Sequence, residues 1–90
     1  MRFKSKPVVI NAIQFLGEKS FMDMDLAWGN NFLRNAEFIH HQNGSESMTI
    51  STPEGVMAAI PTDWIIKGTI GEFYPCKDEV FQRKYEPVVE

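Results

Sequence analysis

The segment Thr52–Tyr85, TPEGVMAAIPTDWIIKGTIGEFYPCKDEVFQRKY, restricts the fold more than any other part of the chain. Turn-forming residues recur through it as Pro53-Glu54-Gly55, Pro61-Thr62-Asp63 and Gly68 to Gly71. Proline presets one dihedral and glycine opens positive φ, so these runs are turns for a physical reason. The stretches between them, Val56–Ile60, Trp64–Lys67 and Glu72–Tyr74, are strand-length. Their links are far shorter than the dozen or so residues that a parallel crossover requires. Strands joined this way pair antiparallel, and the segment reads as a meander.

Upstream, Lys6-Pro7 opens a strand over Val8–Phe15, since proline at the first strand position breaks no ladder bond. Val8, Ile10 and Ala12 share one face; Val9, Ile13 and Phe15 share the other with Asn11. Two apolar faces predict a central strand covered on both sides. Gly17 ends it, and Ser20 is the expected N-cap of a helix reaching about Arg34. At about 100° per residue, Met22, Leu26, Gly29 and Leu33 fall together, with Phe21, Trp28 and Phe32 on the adjoining flank. Glycine at position 29 should weaken that helix by roughly 1 kcal/mol relative to alanine, and Asn35 should stop it.

Glu37–Gln42 is the next strand, and Asn43-Gly44 is a hairpin signal. Met48–Thr52 returns with Met48 and Ile50 inward and Thr49 and Ser51 outward. After Tyr74, Cys76-Lys77-Asp78-Glu79 starts a short helix with its acids where the helix dipole favours them. Val80, Phe81, Lys84 and Tyr85 return an apolar patch to the sheet. The expected class is α+β: an antiparallel, strongly twisted or half-rolled sheet with one main amphipathic helix and a short C-terminal helix.

Ninety residues make one domain, 1–90, with 43% apolar residues to fill a single core. A net charge of −3 gives no general attraction to phosphate backbones, so no nucleic-acid partner is expected. Arg2, Lys4 and Lys6 cluster at the start, where lysine commonly protects a sheet edge. A single cysteine forms no internal disulfide, which suits a reducing compartment. The start lacks the apolar run of a signal peptide, and no apolar run approaches the roughly 20 residues of a membrane span. A soluble, cytoplasmic protein without membrane association is expected.

Chemistry-bearing residues are few. His40 and His41 are strand neighbours pointing to opposite faces, so they cannot share one metal ion. Cys76 at a helix start has a route to a lowered pKa, but no nucleophile signature surrounds it. Gly68-x-x-Gly71 is a turn rather than a phosphate cradle. No cofactor, metal or catalytic group is expected. The group that stands out is Asp63, Trp64, Lys67, Glu72 and Tyr74. With Trp64 and Tyr74 on paired strands, their rings could wall a ligand cleft rimmed by Asp63, Lys67 and Glu72. On the plainer reading Trp64 is core, Asp63 closes a turn through its side chain, and Lys67 pairs with Glu72 across a hairpin.

Two blocks of motif carry a resemblance. The first is Phe3-Lys4-x-Lys6-Pro7-Val8-Val9-Ile10-x-Ala12-Ile13-Gln14. The second runs through Pro53-Glu54-Gly55, Pro61-x-Asp63-Trp64-Ile65-Ile66-Lys67-Gly68, Gly71-Glu72-Phe73-Tyr74-Pro75-Cys76-Lys77 and Phe81-x-x-x-Tyr85-Glu86-Pro87. Together they resemble a family of small bacteriophage and prophage proteins; the middle, from about Glu18 to Glu46, is variable. Thr62 stands where that family usually has glycine, and Asp78 where it usually has proline. The resemblance implies a phage origin and a place in the bacterial cytoplasm, and it implies no reaction. Two functions follow as expectations. One is a non-enzymatic binding module for a host or phage protein, with a homo-oligomer in view. The other is a small-molecule binder, such as a sponge for a nucleotide signal of bacterial defence.

Overall fold

The computed structural model describes residues 1–3 and 8–89. Among them the elements run β1 (Asn11–Gln14), α1 (Glu18–Trp28), α2 (Asn30–Leu33), β2 (Ala36–His40), β3 (Glu46–Thr52), β4 (Gly55–Ala59), β5 (Trp64–Lys67), β6 (Phe73–Cys76) and α3 (Asp78–Lys84). The strands pair antiparallel, and the fold is α+β with one main helix and a short C-terminal one. The predicted strand opening at Lys6-Pro7 lies outside the described residues.

The short turns dictate antiparallel pairs, yet they do not build one meander. The strands form two three-stranded sheets, ordered β1-β5-β6 and β2-β3-β4. Between β4 and β5 the chain changes sheet, and backbone pairing explains why. The Phe15 N–H donates to the Asp63 carbonyl at 2.8 Å, and the Thr62 N–H donates to the Phe15 carbonyl at 2.8 Å. The end of β1 thus captures the turn that would otherwise fold β5 back onto β4. β6 packs beside β3 and β4, so the sheets face a common core without closing into a barrel.

Two expectations change. β1 is an edge strand, not a central one, and Val8 and Val9 are exposed ahead of it. Its register with β5 runs from Asn11↔Lys67 to Gln14↔Trp64, and past Lys67 the chain turns away, leaving Val8–Ile10 nothing to pair with. The helix, expected as one piece, breaks at Gly29, whose φ of 68° and ψ of −153° separate α1 from α2. Its inward face is the aromatic flank: Met24 and Phe32 are fully buried and Phe21 and Trp28 pack against them. Met22, Leu26 and Leu33 point out instead. Both stripes satisfy a helical period; the rings win because each buries more area and adds ring–ring contact.

Those contacts tie the layers together. Phe15 and Phe38 meet edge-on at 6.3 Å, Phe21 touches Phe38 at 5.6 Å, and Phe32 touches Phe73 at 5.4 Å. Phe21, Trp28 and Phe32 on the helices therefore reach Phe38 in one sheet and Phe73 in the other. Met48 and Ile50 alternate inward from β3 as expected.

Candidate functional site

The β1-β5-β6 sheet has a second apolar face, turned away from the main core. Cross-strand register sets Ala12 beside Ile66 and Ile66 beside Tyr74, and Gln14 beside Trp64 and Trp64 beside Cys76. Alternation puts all of these on one side. Ile66 is buried there, and α3 lies against this face at Trp64. Lys77 caps α3 from an extended backbone, Asp78 and Glu79 occupy its first turn, and Arg83 and Lys84 its last, as the dipole prefers.

Trp64 fastens that cover. Its ring lies flat on Phe81, with centroids 4.0 Å apart and planes 4° from parallel, and Tyr85 meets Phe81 at a tilt of 36°, 5.0 Å away. The Trp64 Nε1–H donates to Asp78 Oδ1 at 2.8 Å. That hydrogen bond, seconded by one from Gln82, holds the Asp78 carboxyl below its ordinary pKa. Trp64 is half-buried and outside the main core, which corrects the core reading of this residue.

Asp63 is 3% exposed and structural. Its Oδ2 accepts the Ile60 N–H at 3.0 Å and the Lys77 ammonium at 3.1 Å, so one carboxylate closes the turn and anchors the start of α3. The expected Asx bond to the backbone two residues on gives way to one running back to the Ile60 N–H; the link to Lys77 was not legible, because nothing in the order of residues brings the two together.

Tyr74 sits on the Trp64 face as expected. Burial first, and then the neighbouring Tyr85 hydroxyl with Glu72 and Cys76 nearby, pushes its pKa up to about 12. Lys67 is Phe73's cross-strand partner and lies on the opposite face. The expected Lys67–Glu72 pair is therefore missing among the described residues: a one-residue offset in register reverses the face. The Glu72 carboxylate instead packs over Gly68, in space that a side chain there would take.

Cys76 is half-buried, and burial raises its thiol pKa; Lys84 works against that rise and Asp63 adds a smaller push in the same direction. A thiol held up in this way is a poor nucleophile at neutral pH. His40 Nδ1 lies 3.4 Å from Glu46, while His41 Nε2 lies 2.8 Å from the Ser47 hydroxyl.

A groove of about 1070 Å³ beside this face is lined by Val8–Ala12, Trp64, Phe81, Gln82 and Lys84–Val88. Of the five residues singled out in the sequence, Trp64 alone lines it. The groove escaped the sequence reading because its walls come from opposite ends of the chain. Comparison of the chain with protein-family models, curated proteins and solved structures finds no match. Among the described residues, no helix is long and apolar enough to cross a membrane.

Proposed function

We propose that the protein is a non-enzymatic binding module for another protein of host or phage origin. The observation behind this reading is the outward face of α1. Met22 and Leu26, one helical turn apart, are 57% and 85% exposed, with Leu16 and Leu33 also open to solvent nearby in the chain. An uncovered apolar stripe on a helix suits a partner's hydrophobic groove. The phage origin and the bacterial cytoplasm as its place of action rest on the motif resemblance alone.

The test is capture from the producing bacterium with wild type and with a Met22→Asp/Leu26→Asp variant. Both substitutions lie on the surface, so circular dichroism should not change. A polypeptide retained by wild type and lost by the variant supports the reading. Identical capture by both proteins, or none by either, refutes it.

The groove favours a second reading, a small-molecule sponge for a nucleotide signal. Trp64, Phe81 and Tyr85 give it aromatic surface and Lys84 a cation. Native mass spectrometry of protein taken directly from the producing cell distinguishes the two, because a retained nucleotide adds a defined mass that denaturation removes.

A further inference from the structure

Every open sheet ends in edges, and this molecule protects its edges unequally. β2 carries Glu37 and His40, and β6 carries Pro75. β4 lies against β6 of the neighbouring sheet. Charge, proline and cover are the usual means of keeping an edge from pairing with another chain. Among the described residues, β1 carries neither charge nor proline, and no strand pairs with its outer side. From Val8 to Gly17 the sequence VVINAIQFLG contains neither a charged residue nor a proline. β1 is hydrogen-bonded to β5 on one side only. Just ahead of it, Val8 and Val9 are 56% and 75% exposed.

The charge distribution points to what covers this edge. Arg2, Lys4 and Lys6 fall within the first six residues, and no acid precedes Glu18. All twelve acidic residues, and so the whole negative excess, belong to the rest of the chain. A second copy supplies both complements at once: an equally uncharged, β-branched strand for the edge and an acidic body for the basic arm.

We propose that the β1 edge is a homodimer interface, in which β1 of a second copy pairs antiparallel with it about a twofold axis. Antiparallel pairing of identical strands is self-complementary, as a closed dimer requires. The two small sheets become one, ordered β6-β5-β1-β1-β5-β6 across the pair. The positive charge of each copy's first six residues is then matched by the net negative charge of the other copy. The groove lined by Val8–Ala12 and the C-terminal residues receives the second copy's Val8, which shares its face. An interface of one strand pair is smaller than the usual stable one, so micromolar association is expected.

The test is sedimentation velocity over a concentration series at low and high salt. Wild type should pass from monomer to dimer across tens of micromolar, with association weakened by salt. Val9→Lys should raise the dissociation constant at least tenfold while leaving circular dichroism unchanged. Hydrogen exchange on wild type gives a check that needs no variant: protection over residues 8–16 should grow with protein concentration. Wild type that stays monomeric to several hundred micromolar overturns the proposal, whether or not a small molecule is retained in the groove. So does a dimer that Val9→Lys leaves intact, or one whose added protection falls on residues 22–33 instead.

Discussion

Thr62 holds a backbone φ of 85°, a region that a β-branched residue enters only at a cost. The turn requires it, since the Thr62 carbonyl accepts the Gln14 amide at 3.0 Å while its N–H serves Phe15. Left-handed backbone costs a non-glycine residue about 1–2 kcal/mol, and glycine returns part of that through the freedom it loses on folding. Thr62→Gly should therefore stabilise the domain by up to roughly 1 kcal/mol, read as a higher denaturation midpoint at unchanged slope. Tyr74 supplies a pH signature. Its folded pKa is raised, so the neutral phenol is the form the fold favours. Its contribution to stability is fully present below the ordinary value of 10.0 and is lost as the pH climbs towards about 12. An absorbance titration of the phenolates should show a late phase that Tyr74→Phe removes.

At the scale of elements, β2 to β6 were legible in outline, while the extent and edge position of β1 and the helix phase were not. Alternation at Met48-Thr49-Ile50 identifies its inward residues without ambiguity, because a strand has only two faces. Residues 20–34 carry two apolar stripes, and only the positions of Phe38 and Phe73 decide which is buried. Gly29 is the sharper case. Propensity alone says that alanine there should help. The observed dihedrals lie in territory that is essentially glycine's, so Gly29→Ala should instead cost about 1–3 kcal/mol. No neighbour lies within 4 Å of the added methyl, so the cost is conformational rather than steric. A gain in thermal stability would overturn this account of the break. Ser20 shows a related shift of role. It lies within α1 rather than capping it, yet its hydroxyl accepts the Leu16 N–H and donates to the Gly17 carbonyl, each at 2.7 Å. For α3 the prediction concerns Trp64, which holds the helix by a stack and a hydrogen bond from outside the main core. Trp64→Ala should cost less than the ~3–5 kcal/mol of a fully buried ring. The protein should stay folded while exchange quickens across residues 78–84; global unfolding would restore Trp64 to the core.

Across the whole molecule, composition and turn spacing indicated the class, but not the division into two sheets. That division depends on β1 pairing with β5, a contact between segments some fifty residues apart in the chain. No local pattern encodes it. What joins the sheets is aromatic: Phe32 touches Phe21, Trp28 and Phe73 at 5.4 to 5.5 Å and is itself fully buried. Phe32→Ala should cost roughly 3–5 kcal/mol, a large part of the ~5–15 kcal/mol that holds a domain folded. Denaturant titration should show one early transition, with both sheets lost together. The two tryptophans give that experiment an optical readout. Trp28 lies against Phe32 and Phe73 on the inner side of the β1-β5-β6 sheet, and Trp64 lies under Phe81 on its outer side. Tryptophan emission of a Trp64→Phe protein thus comes only from the core side, and that of a Trp28→Phe protein only from beneath the C-terminal helix. Between them they time the assembly of each side of one sheet separately, with no dye attached.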